Sequence, residues 1–194
     1  KSYYAFINRP LTNKDGENTS AIFGFFKSLI SILNREKPDY YIVALEGEGK
    51  CFRNEIYPEY KANRPPPPED LRPQIIKIID LIKKLDIPSI SFPNHEADDV
   101  IGTVSKRYAK ENLGDVIIFS SDKDLRQLIE KNISVYHPGR SDEIKVMNEK
   151  SIVSEMGIKA DQMIDYLALA GDSSDNIPGV RGVGPKTAVQ LLND

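Results

Sequence analysis

The sequence predicts an α/β fold with a mainly parallel central sheet flanked by helices. Short apolar runs of strand length alternate along the chain with longer segments whose apolar residues recur at helical spacing. Two of these runs, within Tyr40–Leu45 and Asp115–Ser121, are almost continuously apolar, which is typical of parallel strands covered on both faces. The 194 residues, 40% of them hydrophobic, are enough for one sizeable domain or for one domain with a small addition.

The first half of the chain contains two predicted helices and two predicted strands. Apolar residues fall three and four positions apart in both helices, and Pro73 is tolerated in the second because it lies in the first turn. The helices are Thr19–Arg35 and Glu69–Leu85, and the strands are Tyr40–Leu45 and Ser89–Phe92.

The second half continues this alternation. A helix that begins within the acidic stretch Asn94–Asp99 runs to about Asn112 and precedes the strand Asp115–Ser121. The turn signal Pro138-Gly139 predicts a short strand on either side of it. The strand pair is Ile133–His137 with Glu143–Met147, and the remaining helices are Lys123–Lys131, Glu149–Met156 and Ala160–Ala170.

Carboxylates gather where predicted strands end and helices begin. Because α/β folds bind ligands at the carboxyl ends of parallel strands, we expect these side chains to converge at one edge of the sheet. Oxygen ligands without Cys or His clusters suit hard divalent cations such as Mg²⁺ or Mn²⁺ and not zinc. The candidate metal ligands are Glu46, Glu96, Asp98, Asp99, Asp122, Asp124, Asp172 and Asp175. The simpler alternative is that each acid caps a helix or faces water.

Convergence of these acids has a chemical consequence. Two cations roughly 4 Å apart would position a water molecule, lower its pKa and stabilise a phosphate under attack. Without metal, the same carboxylates would repel one another and protonate anomalously. The residues alone therefore predict a two-metal phosphodiesterase.

The overall charge does not exclude a nucleic-acid partner. Leaving out the eight candidate ligands would change the net charge of −3 to +5. No apolar run is long enough to span a membrane and no secretory signal is visible, so we expect no membrane partner. A single cysteine, Cys51, excludes an internal disulfide and fits a reducing compartment. We expect a cytoplasmic monomer.

The segment Glu48–Pro68 is basic and aromatic, and its poor apolar periodicity predicts a loop or a helical flap. Its cations would contact phosphates and its tyrosines would stack on bases. The alternative is a solvated loop that its tyrosines anchor. The candidate DNA-binding residues are Arg53, Tyr60, Lys61 and Arg64, of which the last two would share a face of a helix.

A glycine-rich turn precedes a helix that is predicted to begin at Pro185. Free backbone N–H groups at a helix N-terminus suit a phosphate, and the neighbouring cations favour sequence-independent binding of a duplex backbone. The alternative is a tight turn between two packed helices. The candidate residues are Gly179, Arg181, Gly182, Gly184, Lys186 and Thr187.

Taken together, five motifs resemble the flap endonuclease family, in particular the 5′-nuclease domain of bacterial DNA polymerase I. They occur in the family's order and span essentially the whole chain. The motifs are Phe52-Arg53…Tyr60-Lys61…Arg64-Pro65, Glu96-Ala97-Asp98-Asp99, Asp122-Lys123-Asp124, Gly171–Gly179 and Gly182–Ala188.

The resemblance implies a Mg²⁺-dependent enzyme that cuts the 5′ end or 5′ flap of branched or nicked duplex DNA in replication and repair, at the nucleoid. It implies a PIN-like core over residues 1–168, with a helical arch at about 48–68. The start of a helix–three-turn–helix is expected over residues 169–194, where main-chain carbonyls would bind K⁺. A polymerase domain is expected to follow in the parent chain.

The resemblance also implies roles for individual residues. Lys61 and Arg64 match arch cations that steer and polarise the scissile phosphate, and Tyr60 would stack on the unpaired end. Asp99 would support the metal ligands. The ligands implied for the first metal are Glu96, Asp98 and Asp122, and those for the second are Asp124, Asp172 and Asp175.

Two departures from the family pattern affect these expectations. The family begins with a strand ending in a metal-binding Asp, which would lie just before Lys1, so we expect a fragment of a family member. Glu46 stands where the next strand normally ends in Asp, and its extra methylene moves the oxygens by about a bond length. These departures leave open a non-catalytic DNA-binding fragment. A PIN-type ribonuclease, which also uses an acidic pocket, is a second alternative.

Overall fold

The structure, a computed structural model, describes Ser2–Gly139 and Glu143–Asp194. These residues divide into two compact units. The first unit holds the residues up to Val43 together with Pro65–Ile90, and the second holds Ala44–Arg64 with Ser91–Asp194. The helices are α1 (Ser20–Glu36), α2 (Arg53–Ile56), α3 (Leu71–Lys84), α4 (Ala97–Lys110), α5 (Glu149–Met156), α6 (Met163–Ala170) and α7 (Pro185–Asn193). The strands are β1 (Val43–Ala44), β2 (Ser89–Ile90), β3 (Val116–Phe119), β4 (Ile133–Pro138) and β5 (Ile144–Met147).

Helices α1 and α3 pack together in the first unit. Ile32 of α1 and Ile82 of α3 are both buried, as the apolar periodicity of the two helices predicts. Gln74 of α3 is also buried, and its side-chain oxygen accepts a hydrogen bond of 2.8 Å from the backbone N–H of Ala21. A side chain of one helix thus satisfies a backbone donor in the first turn of the other. Both predicted helices are confirmed to within two residues at each end.

Asp70, the N-cap residue of α3, joins separate parts of the first unit. Its carboxylate accepts hydrogen bonds from the Tyr3 hydroxyl at 2.6 Å and from the Asn18 amide at 2.7 Å. The bond from Tyr3, followed by that from Asn18, holds the pKa of Asp70 below its ordinary value of 3.8. Asp70 therefore stabilises the fold at neutral pH, and this contribution is lost as the pH falls below 3.8 through the lowered pKa.

We expect Asp70→Asn to lower the melting temperature at pH 7, because each oxygen of the carboxylate accepts one of these hydrogen bonds and an amide has only one acceptor oxygen. The loss should shrink as the pH falls toward 3, where the wild-type carboxyl group also begins to lose its charge. Thermal unfolding followed by circular dichroism at both pH values would measure this. Asp39→Asn, at an exposed position, is the control. A loss of equal size at pH 7 and pH 3 would contradict the assignment.

The second unit is built on a three-stranded sheet. Strands β3 and β4 are parallel, with Val116 opposite Ile133, and β5 pairs antiparallel with β4. Helix α4 packs against β3, and α5 packs against β5. The residues buried in the core of this unit include Ile118, Leu125, Ile129, Ile133, Val135, Met147, Ile152, Ile158 and Met163.

The predicted α/β class is confirmed, and the sheet is more divided than expected. In Ser2–Gly139 and Glu143–Asp194 the strands form two small sheets, β1–β2 and β3–β4–β5, in place of one central sheet. The pair β3–β4 is parallel as predicted, whereas β5 runs antiparallel. Only five residues separate β4 from β5 along the chain, which is too few for the crossover that parallel neighbours need. Part of the predicted Pro138-Gly139 turn region, residues 140–142, lies outside the described residues.

The prediction of a strand over Tyr40–Leu45 that is buried on both faces is wrong. Within this segment, only Val43 and Ala44 form a strand, which pairs with β2. Tyr40 is 82% exposed. The backbone N–H of Val43 donates to the carbonyl of Pro88 at 2.8 Å. Apolar composition favours an extended conformation, but a neighbouring segment must also supply backbone partners, and sequence periodicity does not show one.

The segment predicted as the helix Lys123–Lys131 also differs. It forms a short 3-10 helix over Asp124–Leu128 and leaves it at Ile129, whose backbone is extended (φ −61°, ψ 130°). Leu125 and Ile129 both reach the core, and β4 begins only four residues later, so the helix has no room to continue. The predicted helix Ala160–Ala170 is confirmed, with a 3-10 turn at Ala160–Gln162 ahead of α6. None of the helices in the described parts is long and apolar enough to cross a membrane.

Candidate functional site

Several carboxylates meet at the N-terminus of α4. Glu96 is the N-cap residue, and its backbone N–H donates to the Asp99 carboxylate at 2.9 Å. Glu46 follows β1 by two residues, and its Oε2 accepts a hydrogen bond from the backbone N–H of Ala97 at 3.2 Å. Gly47 permits this approach, because a Cβ there would lie 1.8 Å from the carbonyl oxygen of Phe92. The positive end of the helix dipole favours negative charge at this position.

The charges of three acids act on a fourth, Asp98, and we call Glu46, Glu96, Asp98 and Asp122 the first carboxylate group. Burial, and after it the charges of Asp122, Glu46 and Glu96, raise the pKa of Asp98 to about 6. Asp122 enters the group because it lies three residues beyond the C-terminal end of β3. The first group therefore concentrates negative charge where a strand end and a helix N-terminus meet, as the sequence predicted.

Asp124, Asp172 and Asp175 form a second carboxylate group. Each offers an oxygen atom, and these atoms all lie within 4.8 Å of one another. Burial, followed by the charges of Asp122 and Asp172, raises the pKa of Asp124 to about 6. Burial alone would also raise the pKa of Asp172, but hydrogen bonds from the Ser174 hydroxyl at 2.6 Å and backbone N–H at 2.8 Å keep that pKa lowered.

The second group fits a divalent metal ion. Oδ1 of Asp124 is buried and has no hydrogen-bond partner among the described residues. A buried carboxylate oxygen without a partner is costly, and a cation would satisfy it. The donor atoms are all carboxylate oxygens, the ligand type that Mg²⁺, Mn²⁺ and Ca²⁺ prefer. The carboxylates of this group therefore form a possible metal site.

The segment Arg53–Arg64, which we call the basic segment, lies against both groups. The Lys61 ammonium forms an ion pair with Glu96 and lies 3.8 Å from Oδ2 of Asp175. The Arg64 guanidinium forms an ion pair with Asp175. The Tyr60 side chain is 8% exposed, and its hydroxyl lies 2.7 Å from Oε2 of Glu96. Cations and a phenol thus contact the predicted ligands directly.

Hydrogen bonds fasten the basic segment to the loop Asp172–Ile177. Paired backbone hydrogen bonds of 2.8 and 2.9 Å between Asp172 and Ile177 close this loop. Five further hydrogen bonds of 2.8 to 3.2 Å link the two parts, and each uses a backbone group on at least one side. They join Lys61 to Asp175, Tyr57 to Asn176, Asn176 to Glu59, Asn63 to Ser173 and Arg64 to Ser174.

Arg53 and Asp99 are paired with each other. Two nitrogens of the Arg53 guanidinium donate to the two oxygens of Asp99 at 2.6 and 2.8 Å, a bidentate arrangement. These bonds are the main cause of the lowered pKa of Asp99. The guanidinium carbon also lies 4.7 Å from the centre of the Phe52 ring. Arg53 was predicted to bind DNA and Asp99 to be a metal ligand, and in this geometry each orients the other.

The glycine-rich turn leads into α7 as predicted, with Gly184 as the N-cap residue and Pro185 as the first helical residue. Gly182 has φ +84°, which suits glycine, and a 2.9 Å hydrogen bond from Val183 to Val180 closes the turn. A Cβ on Gly179 would lie 2.5 Å from the backbone of Leu169 and Ala170, so that glycine is needed for packing. The candidates Arg181, Gly182, Gly184, Lys186 and Thr187 are all exposed.

Seven of the eight candidate ligands belong to the two carboxylate groups, and the charge of Asp122 acts on both. Asp99 is the exception.

Sequence reasoning missed Ser174, Asn63 and Asn176, which hold the ligands and the basic segment in place. Ser174 could have been found, because a serine two residues after an aspartate often bonds to it. The Asn63 contact, with a residue 110 positions away, leaves no local signal.

Comparisons with known proteins agree with this geometry. Residues 1–157 match the family model described as 5′-3′ exonuclease, N-terminal resolvase-like domain, and residues 158–194 match 5′-3′ exonuclease, C-terminal SAM fold. A 5′-3′ exonuclease of Aquifex aeolicus is 39% identical and aligns with 94% of this chain. The DNA polymerase I of Borreliella burgdorferi is also 39% identical and aligns with all of it. The chain spans 62% of the length of the first relative and 21% of the second.

A solved structure shows the same fold. The bacteriophage T5 flap endonuclease, in a complex with DNA and metal ions, superposes with a TM-score of 0.71 over 88% of this chain and 65% of its own. The two sequences are 21% identical, so this likeness concerns the fold alone. It confirms the PIN-like α/β fold. Since the two family models together cover the sequence from end to end, the chain belongs to the 5′-3′ exonuclease family.

Proposed function

We propose that the protein is a structure-specific 5′ nuclease that hydrolyses phosphodiester bonds at the 5′ end or 5′ flap of branched or nicked duplex DNA, in replication and repair. The observation that carries this proposal is the contact between two carboxylate groups and the cations of the basic segment. The names of the relatives, 5′-3′ exonuclease and DNA polymerase I, support it, as does the T5 flap endonuclease complex.

Two Mg²⁺ or Mn²⁺ ions are the proposed cofactors, one for each carboxylate group. When bound, such ions supply Lewis-acid stabilisation of phosphate charge and a water molecule of lowered pKa. Asp122 would contribute to both groups, since its charge acts on both Asp98 and Asp124. Glu46 would take the place of an aspartate in the first group. Its hydrogen bond from the backbone N–H of Ala97 holds the Glu46 carboxylate at the N-terminus of α4.

Lys61 and Arg64 are the proposed contacts to the scissile phosphate. Both cations end at carboxylates of the proposed site, so a phosphate bound there would lie within their reach. Their side chains are long and flexible enough to exchange a carboxylate partner for a phosphate oxygen. Because Arg53 and Tyr60 are held inside the site, we assign them to its support and not to the passage of the DNA strand.

The exposed residues beside the glycine-rich turn are the proposed contacts to duplex backbone. Arg181 and Lys186 would neutralise phosphates, while backbone N–H groups at the start of α7 would orient them. We propose residues 1–168 as the nuclease core and 169–194 as the start of a helix–three-turn–helix that holds K⁺. A polymerase domain in the parent protein and a nucleoid location would follow from the DNA polymerase I relatives.

Cleavage of a labelled 5′-flap DNA tests the proposal. Flap release that requires Mg²⁺ or Mn²⁺ and stops in EDTA is the expected result. Flap binding without cleavage at any metal concentration would instead indicate the non-catalytic DNA-binding fragment. Preferential cleavage of a matched RNA would favour the PIN-type ribonuclease. Either of these outcomes would overturn the assignment.

We expect the cations of the basic segment and the cation beside the glycine-rich turn to affect different steps, cleavage and duplex binding. We expect Lys61→Ala and Arg64→Ala to lower the cleavage rate more than the affinity for duplex DNA, because their partners are the carboxylates of the proposed site. Lys186→Ala should lower duplex affinity more than rate and reduce the slope of log affinity against log salt by about one. Single-turnover rates and binding titrations at several salt concentrations would measure both quantities. Equal effects of the three variants in both assays would contradict this division.

A further inference from the structure

Tyr60 occupies an unusual place for a residue that was expected to stack on DNA bases. Its side chain is 8% exposed. The ring centre lies 4.8 Å from the Lys61 ammonium and 5.9 Å from the Arg53 guanidinium carbon. These protein cations already contact the ring, which leaves little of it for a base.

The Tyr60 hydroxyl lies between the two carboxylate groups. It is 2.7 Å from Oε2 of Glu96, in the first group, and 3.2 Å from Oδ2 of Asp175, in the second. A phenol has one hydrogen to donate, so the shorter contact is the main hydrogen bond and Asp175 is a second acceptor within reach of the same group. A tyrosine hydroxyl keeps its hydrogen at neutral pH, so this group is a donor to the carboxylates.

The backbone around Tyr60 fixes the position of this hydroxyl. The Tyr60 carbonyl accepts a hydrogen bond of 3.1 Å from the Asn54 side chain, and the next N–H, of Lys61, donates to the Asp175 carbonyl at 2.9 Å. Lys61 has φ +58°, a left-handed conformation that a residue with a side chain adopts only when its surroundings impose it. Two consecutive side chains thereby reach the same two carboxylates, which neighbours in a regular helix or strand do not do.

We propose that Tyr60 is a positioning residue that sets the spacing between Glu96 and Asp175, and with it the spacing of the two proposed metal ions. This inference rests on the proposed nuclease function and deepens it. A hydrogen bond from a neighbouring group to a ligating carboxylate orients that ligand, and the loss of such a bond weakens metal binding by about 10- to 100-fold. The ring contributes through its contacts with the Arg53 and Lys61 cations.

The variant Tyr60→Phe tests this role, because it keeps the ring and removes only the hydroxyl. Tyr108→Phe is a matched control, since it deletes a hydroxyl that donates to the backbone carbonyl of Leu113 at 3.1 Å, at the opposite end of α4 from Glu96. Isothermal titration with Mn²⁺ alone should show binding at least about 10-fold weaker in Tyr60→Phe than in wild type. Tyr108→Phe should bind Mn²⁺ as wild type does. Flap-DNA affinity measured in EDTA should be unchanged in both variants, because the hydroxyl that each variant removes bonds to protein groups.

The outcomes are distinguishable. Wild-type protein that binds no Mn²⁺ would overturn the proposed function itself. Mn²⁺ binding by wild type together with equal or tighter binding by Tyr60→Phe would overturn only the role of Tyr60. If Tyr60→Phe does not fold in EDTA, Asn54→Ala replaces it, since it frees the Tyr60 carbonyl and leaves the hydroxyl in place. That variant should weaken Mn²⁺ binding in the same direction by a smaller factor, and unchanged binding would overturn the proposal.

Discussion

Replacement of Asp122 by asparagine should lower the rate of 5′-flap cleavage by at least about 1,000-fold, because a metal ion supplies several kcal/mol of charge stabilisation to such a reaction. Asp122 is the carboxylate whose charge acts on both Asp98 and Asp124, so its loss would weaken both proposed metal sites. Asparagine keeps the size of the side chain. It can still accept the 3.0 Å hydrogen bond from the backbone N–H of Asp124, so the fold should survive. Single-turnover cleavage with saturating enzyme would measure the effect.

Asp115→Asn is the matched control for this experiment. Asp115 lies just before the other end of β3 and is exposed, so the same change of charge is made outside the proposed site. Its cleavage rate should equal that of wild type. Flap affinity should change little in either variant. Cleavage by Asp122→Asn within a few-fold of wild type would contradict the assignment of Asp122 as a metal ligand.

In EDTA the protein should be more stable at pH 5 than at pH 7. The pKa values of Asp98 and Asp124 are raised to about 6 in the fold, while the ordinary value is 3.8. Between these values the folded state binds more protons than the unfolded state, so the free energy of unfolding falls as the pH rises through this window. Both side chains are partly solvated, so we expect a difference on the order of 1 kcal/mol from urea unfolding.

Excess Mn²⁺ should reverse this order. Metal ions bind the deprotonated carboxylates of the folded state, and at 100 times the dissociation constant they would add about 2.7 kcal/mol of stability at pH 7. The double variant with Asp98→Asn and Asp124→Asn should be more stable than wild type in EDTA at pH 7, and it should gain little from Mn²⁺. If the free energy of unfolding of wild type instead rises from pH 5 to pH 7 in EDTA, the raised pKa values of Asp98 and Asp124 are not the cause of the pH dependence.

The sequence predicted the features that depend on residues close together in the chain. It did not predict those that depend on contacts between distant parts of the chain. The helix predicted over Glu69–Leu85 and observed as α3 follows from spacings of three and four residues, which lie within the helix itself. Tyr40–Leu45 was predicted as a buried strand from its composition, yet burial depends on which neighbours cover it. Local periodicity contains the first kind of information and lacks the second.

The same distinction holds in the site. The acids at the ends of β3 and at the start of α4 were predictable, because strand ends and helix starts bring carboxylates together in any parallel α/β arrangement. The ion pairs of Lys61 and Arg64 with Glu96 and Asp175 were not, since they depend on how a segment without periodicity folds back. Tyr60 was expected to stack on the unpaired end of the DNA, whereas in the structure its side chain is 8% exposed and its hydroxyl lies 2.7 Å from Oε2 of Glu96.

The hydrogen bonds between the basic segment and the loop Asp172–Ile177 affect when the site can form during folding and translation. Its hydrogen bonds join residues 110 to 119 positions apart, such as Asn63 with Ser173 and Tyr57 with Asn176. Contacts between such distant parts form late in folding, because a long stretch of chain must first be closed. During synthesis they cannot form before residue 176 has left the ribosome, at a pace of about 5–20 residues per second. A nascent chain therefore lacks the contacts between the basic segment and this loop until residue 176 has emerged.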